Sequence, residues 1–305
     1  MQMSKKTNSK VWYDGHITDY NSATVPILTH SLQYASGIFE GIRAHQTKEG
    51  PAIFRLDKHI ERFLKSAKIY GIELGFTKKE LFNAVIDIVR ANKLDSCYIR
   101  PFAFYNDDKI GLGVEGKKVS TFIALSPFGK YFEAKNNGLS CKVSSWNKIS
   151  SKALPVSAKA SGNYINSIIA STEAKKMGFD EAILLSENGY VAEGPGENIF
   201  LVKDGVLITP GEESDILMGI TRSSIIQIAQ DMGYIVKERL VRRDELYNAD
   251  ELFFCGTAVE ITPILCVDNI KISASIGKIT KELSNRYDQI THAQVKEYNH
   301  WLTFV

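Results

Sequence analysis

The chain has 305 residues, a length at which one hydrophobic core stops growing, so two domains are expected. Hydrophobic residues make up 44% and charged residues 24% of the chain, which excludes an intrinsically disordered protein. The 37 basic and 35 acidic side chains leave a formal net charge of +2. Such an even balance favours neither nucleic acid nor an anionic membrane as a partner.

The N-terminal segment and the metal-binding residue types argue against two further classes. The segment MQMSKKTNSK is polar and lacks the apolar core of a secretory signal, so a cytoplasmic location is predicted. The four cysteines form no C-x-x-C pair, and the six histidines are scattered without an H-x-x-x-H pair. A metal enzyme is therefore not expected, and the cysteines are interpreted as reduced thiols that pack as small apolar side chains.

The N-terminal half combines strands with two helices. An Asp14-Gly15 turn between short apolar runs predicts a hairpin. Apolar residues over 60–67 and over 81–89 recur with the spacing of helices that bury one face. Strand-like runs over 97–105 and 119–125 complete this half of the chain.

The C-terminal half is rich in hairpin signals. Turns at Asn188-Gly189 and Asp204-Gly205 separate short apolar runs, one of them over 190–194, and helices are predicted over 162–177 and 221–232. Because paired strands recur as hairpins between the helices, the order of elements indicates an α+β protein with antiparallel or mixed sheets. The same order argues against a doubly wound parallel fold.

The segment FGKYFEAKNNG, residues 128–138, follows neither a helix nor a strand period and is rich in asparagine and glycine. It predicts the boundary between the two domains. We expect a smaller N-terminal domain over residues 1–130, an interdomain loop over 131–138 and a larger C-terminal domain over 139–305.

Residues 111–116 match the dinucleotide-binding pattern G-x-G-x-x-G, and with Lys117 they also approximate a P-loop. Both motifs require a helix directly after the glycines, because the helix N-terminus binds the phosphate. The residues that follow, KKVSTFIAL, have the pattern of a strand, and Lys118 stands where a P-loop has Ser or Thr. The segment is therefore interpreted as a connecting loop.

Three residues of the second half are candidates for a catalytic or binding role. Lys159 lies just before a predicted helix and has small neighbours that let a bulky group approach the backbone. A lysine taken at random is a solvated charge, but a buried and uncrowded one loses its proton and forms a Schiff base with a carbonyl. Glu193 stands in a glycine-rich turn, and Thr221 begins a helix whose N–H groups form an anion site. On residue type alone, Glu193 is a solvated carboxylate and Thr221 an ordinary N-cap.

Each of these groups is a weak signal alone, but their occurrence in this order along the chain indicates one kind of site. A Schiff-base lysine, a phenol at Tyr164, a carboxylate and a phosphate-binding helix start are what pyridoxal 5′-phosphate (PLP) requires. This cofactor withdraws electrons only when its pyridine nitrogen is protonated, and a nearby carboxylate enforces that state.

At these residues the sequence resembles the fold-type IV PLP enzymes, and among them the branched-chain amino acid aminotransferases. The resemblance extends from about residue 10 to residue 270. The segments that carry it are HSLQYASGIFEGIRAH (30–45), FRLDKHIERFLKSAKIYGI (54–72), YIRP (98–101), SSWNKIS (144–150), SAKASGNY (157–164), EGPGENIF (193–200), LMGITR (217–222) and GTAVEITP (256–263).

The resemblance implies an α+β fold of two domains, with a smaller N-terminal α/β sandwich and a larger C-terminal, PLP-binding domain that contains a pseudo-barrel of mixed strands. It implies ping-pong transamination of leucine, isoleucine and valine with 2-oxoglutarate, giving branched-chain 2-oxo acids and L-glutamate. It also implies a homodimer or a higher homo-oligomer, such as a hexamer built as a trimer of dimers.

For the cofactor, the resemblance implies that Lys159 forms the Schiff base and shuttles the proton. Glu193 would pair with the pyridine nitrogen and Tyr164 with the phenolic oxygen. The phosphate would be bound by Arg62, by the amides of Ile220 and Thr221, and by the hydroxyl of Thr257, and Leu217 would also belong to the cofactor site. Without the resemblance, Arg62 is a surface residue of a helical ion pair.

For the substrate, the resemblance places the α-carboxylate against Tyr98 and the amides of Thr257 and Ala258. Arg100 would bind the distal carboxylate of glutamate. The remaining substrate-side residues are Phe39, Gly41, Tyr131, Tyr164 and Val114, with Tyr34 supplied by a partner subunit. Ordinary packing is the alternative interpretation for Phe39, Val114 and Tyr131.

Three rival functions differ in what they require. A D-amino acid aminotransferase or an aminodeoxychorismate lyase of the same fold usually differs at FEGIR and YIR. An (R)-selective amine transaminase is not expected to retain Tyr98 and Arg100 in this arrangement. A non-catalytic binding module of similar fold has no need for an intact Lys159 and Glu193.

Overall fold

The structure is a computed structural model that describes residues 9–128 and 138–305. These residues form two compact units. The first comprises residues 9–128, Ala158–Gly162 and Ile290–Val305, and the second comprises residues 138–157 and 163–289. Each unit combines helices with one sheet, so the predicted α+β class is confirmed. Across the two described ranges, no helix is both long enough and apolar enough to span a membrane.

The described strands are, in chain order, β1 (Lys10–Tyr13), β2 (His16–Asp19), β3 (Gly37–Phe39), β4 (Ile42–Thr47), β5 (Gly50–Phe54), β6 (Cys97–Tyr105), β7 (Val119–Pro127), β8 (Leu139–Val143), β9 (Glu181–Ile183), β10 (Asn198–Lys203), β11 (Val206–Thr209), β12 (Val236–Glu238), β13 (Glu251–Gly256), β14 (Glu260–Val267), β15 (Ile270–Lys271) and β16 (Leu302–Phe304). The α-helices are α1 (His30–Tyr34), α2 (Leu56–Ile69), α3 (Lys78–Asn92), α4 (Tyr164–Lys176), α5 (Ile220–Asp231), α6 (Arg243–Asn248) and α7 (Lys278–Thr291).

An eight-stranded antiparallel sheet forms the centre of the first unit. Its strand order is β16-β5-β4-β6-β7-β1-β2, and β3 pairs with β6. The two predicted apolar stripes lie on α2 and α3, and their residues Ile60, Phe63, Val85 and Ile88 are fully buried in one core with the sheet. This packing fixes α2 beside β3, which is where several predicted site residues lie.

Two of the predicted hairpin turns are confirmed by their backbone angles. Asp14 and Gly15 have φ angles of 44° and 94°, and Asp204 and Gly205 have φ angles of 49° and 74°. Two consecutive left-handed residues are what a two-residue type I′ hairpin turn requires. After residues 111–116 the chain enters β7 and not a helix, so the interpretation as a connecting loop is also confirmed.

A mixed eight-stranded sheet forms the centre of the second unit. Its order is β12-β11-β10-β13-β14-β8-β9, with β15 paired to β14, and three of its pairings are parallel. Helix α5 packs against β13, and α4 packs against β8 and β9. The strand predicted over 190–194 is wrong, because Tyr190 and Val191 form only isolated bridges, with Arg242 and Leu185.

The compact units differ from the predicted domains in two segments. Ala158–Gly162 and Ile290–Val305 belong to the first unit, although they follow the predicted boundary in the chain. The amide of Phe39 donates to the carbonyl of Lys159, and β16 pairs with β5, so backbone hydrogen bonds attach both segments to the first sheet. Apart from Gly138, the predicted loop over 131–138 lies outside the described residues, and the boundary there stays a prediction.

Candidate active site

Lys159 is held by backbone contacts within the first unit. Its amide donates to the hydroxyl of Ser66 on α2 at 3.0 Å, and its carbonyl accepts from the amide of Phe39 on β3 at 3.0 Å. The next residue, Ala160, bridges to Ile38 as an antiparallel partner. The main chain of Lys159 is therefore fixed between a helix and a strand, which determines where its side chain begins.

The amine of Lys159 is easier to deprotonate than an ordinary lysine. Burial lowers its pKa to about 8, and the positive charge of Arg62 lowers it in the same direction, while the carboxylate of Glu40 opposes the shift. The Nζ atom lies 4.9 Å from the centroid of the Phe39 ring. A lysine in this state supplies a neutral amine, the form that attacks a carbonyl, near neutral pH.

A buried carboxylate, Glu40, organises the charged groups beside Lys159. It accepts from Arg62 twice, Nε to Oε1 at 2.7 Å and Nη2 to Oε2 at 2.9 Å, and His59 Nδ1 lies 2.7 Å from Oε2. Burial alone would raise the pKa of Glu40, but the interactions with Arg62 and His59 together outweigh it and hold that pKa well below its usual range. Burial lowers the pKa of His59, so we assign a neutral ring whose Nδ1–H donates to the carboxylate.

Phe39, Tyr98 and Arg100 form the other side of the Lys159 cluster. Arg100 Nη2 donates to Tyr98 Oη at 2.9 Å, and its guanidinium carbon lies 4.6 Å from the Phe39 ring centroid. A Cβ atom at Gly41 would lie only 2.1 Å from Tyr98 Oη, so the phenol occupies the space that any side chain there would need. The structure thus brings five predicted residues, Phe39, Gly41, Tyr98, Arg100 and Lys159, into one cluster with Arg62.

Two predicted substrate-side residues of the first unit, Tyr34 and Val114, are not part of this cluster. Tyr34 is an exposed residue of α1, and its Oη accepts from the amide of Gly111 at 3.4 Å. Val114 lies in the loop between β6 and β7 and packs on the core of the first unit. Tyr131 lies outside the described residues.

Glu193, in the second unit, is buried and has three hydrogen-bond partners. Its Oε1 atom lies 2.7 Å from Lys148 Nζ, and the two side chains are 7% and 9% exposed. Its Oε2 atom accepts from Asn198 Nδ2 at 3.0 Å and from the amide of Leu217 at 3.2 Å. Burial alone would lower the pKa of Lys148, but the charge and hydrogen bond of Glu193, with smaller contributions from Tyr164 and Asp215, together outweigh it and raise that pKa, so the pair is ionic.

The start of α5 has the features of an anion site. Gly219 is the N-cap and has no side chain to bond the first N–H groups, and the buried residues Ile220 and Thr221 follow it. A Cβ atom at Gly219 would lie 2.0 Å from Asn198 Oδ1, so this asparagine packs directly against the glycine. The positive end of a twelve-residue helix therefore presents backbone donors that suit a phosphate.

The remaining predicted residues of the second unit lie at element ends. Tyr164 is the first residue of α4, and its phenol interacts electrostatically with Lys148. Thr257 and Ala258 lie in the turn between β13 and β14. Such positions present backbone and side-chain donors at the ends of strands and helices.

Sequence reasoning missed four charged or polar residues of these clusters: Glu40, His59, Lys148 and Asn198. Each lies inside a segment that carries the family resemblance, namely FEGIR, HIERF, SSWNKIS or GENIF. The signal that they matter is burial, because a charged group removed from water is retained only when it is paired.

These groups fit the parts of PLP. A lysine with a pKa near 8 suits its aldehyde, a buried carboxylate suits its ring nitrogen, and an uncapped helix start suits its phosphate. The start of α5, where no side chain caps the first N–H groups, is the structural observation that most specifically favours a phosphate ester.

Comparison with known proteins identifies the family. The sequence profile described as amino-transferase class IV matches residues 37–267, a stretch that includes both Lys159 and Glu193. A curated branched-chain-amino-acid aminotransferase from Pseudomonas aeruginosa is 42% identical over 298 residues, which cover 97% of each chain.

Solved structures agree with the sequence comparison. A branched-chain aminotransferase from Thermoproteus uzoniensis, solved with norvaline, superposes with a TM-score of 0.93 at 46% identity and covers 97% of this chain and 98% of its own. The T.th. branched-chain amino acid aminotransferase, complexed with N-(5′-phosphopyridoxyl)-L-glutamate, gives a TM-score of 0.92 at 42% identity with the same coverage. The chain belongs to the class IV aminotransferases and, within them, to the branched-chain-amino-acid aminotransferases. The resemblance inferred from the sequence is confirmed.

Proposed function

We propose that this enzyme uses PLP to transfer the amino group of leucine, isoleucine or valine to 2-oxoglutarate. The products are the branched-chain 2-oxo acids and L-glutamate. The observation that carries the proposal is the lowered pKa of Lys159 in a cluster that also contains Arg62, Phe39 and Arg100. A lysine in this state is suited both to attack an aldehyde and to accept a proton from carbon.

PLP supplies, when bound, a protonated pyridine ring that withdraws electrons from the reacting carbon. We assign Glu193 to the ring nitrogen and Tyr164 to the phenolic oxygen. Arg62, the amides of Ile220 and Thr221, and the hydroxyl of Thr257 are assigned to the phosphate, and Leu217, whose amide donates to Glu193, is assigned to the cofactor site. Support for the cofactor comes from the T.th. relative, whose complex contains a phosphopyridoxyl group.

Lys159 has two tasks in this proposal. It would hold the cofactor before an amino acid binds, and once released its Nζ atom would take the proton from the α-carbon of the amino acid and deliver it to the cofactor carbon that the lysine had held. Arg62 supports the second task, because its positive charge lowers the pKa of the amine and so increases the neutral fraction. The proton acceptor is then available without a second base.

One site must accept both an aliphatic and an acidic side chain. Arg100 lies over the ring of Phe39, so a cation and an apolar surface occupy adjacent positions. We propose that leucine packs against Phe39, while the longer glutamate reaches Arg100 with its distal carboxylate. Tyr98 and the amides of Thr257 and Ala258 are assigned to the α-carboxylate. The relatives solved with norvaline and with a phosphopyridoxyl-glutamate adduct support this pair of substrates.

The two substrates use the same residues, so the first product must leave before the second substrate binds, which is a ping-pong mechanism. Gly41, Val114 and Tyr131 are proposed to line the side-chain pocket, and Tyr34 is proposed to come from a second copy of the chain. The last assignment requires at least a homodimer, and a hexamer built from three dimers meets the same requirement. The proposed location is the cytoplasm.

The cofactor assignment is tested by adding PLP to the apoprotein and recording its visible absorption. We expect the wild type to develop a band from the lysine-bound cofactor that survives gel filtration. Lys159→Ala should bind PLP without that band, whereas Lys142→Met, which breaks an ion pair with Asp268 in the second unit, should retain it. A wild-type protein that stays colourless and retains no PLP would refute the proposal.

A further inference from the structure

Lys148, the ion-pair partner of Glu193, has no part in the cofactor and substrate assignments above. Both side chains are removed from water, and their charged atoms are 2.7 Å apart. The amide of Lys148 donates to the carbonyl of Leu185 at 2.7 Å, so the lysine is held at its backbone as well as at its side chain. Burying two charges is costly unless they are paired closely, which they are here.

The partners of Glu193 leave its carboxylate little freedom. A carboxylate has about four acceptor positions. Lys148 takes one on Oε1, and Asn198 and the amide of Leu217 take the two on Oε2. The fourth position, on Oε1, is therefore the one open to a further donor, and its direction is set by three fixed neighbours.

Acidic groups also lie near the Lys148–Glu193 pair. Glu197 and Cys255 both interact electrostatically with Glu193, and Asp215 and the phenol of Tyr164 interact with Lys148. Burial beside a like charge disfavours the charged form of a carboxylate, and an adjacent cation favours it. Lys148 supplies that cation at the shortest distance.

We infer that Lys148 is a positioning residue that acts through Glu193, keeping the carboxylate charged so that a shared proton stays on the ring nitrogen of the cofactor. This inference rests on the proposed function. An ammonium group 2.7 Å from a carboxylate favours the charged form of that carboxylate, and a carboxylate that stays charged leaves a shared proton on its partner. Lys148 thereby sets, through Glu193, how strongly the bound cofactor withdraws electrons.

The test is ¹⁵N nuclear magnetic resonance of the enzyme loaded with PLP labelled at the ring nitrogen. In the wild type we expect the shift of a protonated pyridine. In Lys148→Met the shift should move toward that of unprotonated pyridine, and Lys148→Gln, a second variant without the charge, should do the same. Lys148→Arg should restore the protonated shift, and Lys142→Met, which breaks a pair of equal length with Asp268, should not move it.

Two further arms separate this role from a merely structural one. In a Glu193→Gln background, the change of Lys148 to Met should leave the ¹⁵N shift unmoved, because the lysine acts through the carboxylate. The apoprotein of Lys148→Met should lose stability as pH rises from about 4 toward neutrality. A charged carboxylate that is buried without its cation disfavours the folded state, whereas water solvates it in the unfolded chain. Glu193→Gln should abolish that loss.

The outcomes are distinguishable from a failure of the proposed function. A wild-type enzyme without a bound cofactor refutes both. A wild-type enzyme with bound PLP, together with Lys148→Met or Lys148→Gln enzyme that binds PLP and keeps the wild-type ¹⁵N shift, overturns only the role of Lys148. An equal shift change in the Glu193→Gln background overturns it as well.

Discussion

Arg62 and Glu40 are joined by two hydrogen bonds, Nε to Oε1 at 2.7 Å and Nη2 to Oε2 at 2.9 Å, in the layer of charge next to Lys159. The pairing fixes a guanidinium whose charge lowers the pKa of the lysine, while the carboxylate raises it. The lysine therefore experiences two opposed charges, and a mutation of Arg62 or of Glu40 removes one of them at a time.

The first prediction concerns the pH dependence of cofactor uptake. The neutral amine of Lys159 attacks the aldehyde, so the rate should rise with pH and level off above a pKa of about 8. In Arg62→Met the inflection should move to higher pH, because a charge that lowers the lysine pKa has been removed. Stopped-flow absorbance of apoprotein mixed with excess PLP measures it. An inflection that stays in place in Arg62→Met would contradict the electrostatic account.

The second prediction concerns the stability contributed by Glu40. Glu40→Gln removes one partner of a buried ionic network, so the free energy of unfolding should fall by about 3–5 kcal/mol at pH 7. The matched control is Glu61→Gln on helix α2. Glu61 forms exposed ion pairs with Lys58 and Lys78, so its loss should lower the free energy of unfolding by no more than about 1 kcal/mol. Urea unfolding of the apoproteins measures both, and equal losses would contradict the prediction.

The same carboxylate should make the protein sensitive to acid. The pKa of Glu40 is lower in the folded state than in the unfolded chain, so its contribution is present above the unfolded value of about 4.3 and is lost as pH falls below it. As the pH falls from 5 to values below about 4, the free energy of unfolding should decrease more for the wild-type apoprotein than for Glu40→Gln. Urea unfolding at each pH measures both proteins. Parallel losses in the two proteins would show that Glu40 does not carry this effect.

The third prediction concerns Gly41. In Gly41→Ala the new methyl group would overlap Tyr98 Oη, which lies 2.1 Å from the Cβ position, so Tyr98 and its partner Arg100 must move. The KM for 2-oxoglutarate should rise, while PLP uptake stays near the wild-type level. Gly196→Ala adds the same methyl group where no atom lies within 4 Å, and it serves as the control. An unchanged KM in Gly41→Ala would contradict the placement of Tyr98.

The fourth prediction separates the two substrates. Arg100→Met keeps an apolar stem beside Phe39 but removes the charge. A charged hydrogen bond to a carboxylate is worth about 1.5–3 kcal/mol, so the half-reaction with L-glutamate should slow about 10- to 150-fold in kcat/KM. The half-reaction with L-leucine should change much less. Single-turnover absorbance with each amino acid measures the two rates, and equal losses would show that Arg100 does not discriminate between them.

Local signals of the sequence predicted much of the fold. The Asp-Gly turns identified two hairpins, because aspartate and glycine adopt left-handed backbone angles with little strain. The apolar stripes on α2 and α3 identified the buried faces of these helices. The strand after residues 111–116 was enough to dismiss a nucleotide-binding motif. These features depend on neighbours within a few residues, which is why the sequence alone reveals them.

The pairings that organise the candidate site could not be predicted in the same way. The segment around Lys159 bonds to β3, about 120 residues earlier in the chain, and Glu40 pairs with a helix that begins sixteen residues later. Lys148 and Glu193 stand 45 residues apart, and each looks like a solvated charge until burial and distance are known. Family resemblance pointed to the segments, and the structure supplied the partners.

The most direct test of the function is a half-reaction assay of the PLP-loaded enzyme against a panel of L- and D-amino acids. Addition of L-leucine, L-isoleucine, L-valine or L-glutamate should bleach the visible band of the lysine-bound cofactor, and 2-oxoglutarate should restore it. D-alanine should leave the band unchanged. Rapid bleaching by D-alanine with none by L-leucine would contradict the assignment of a branched-chain L-amino acid substrate.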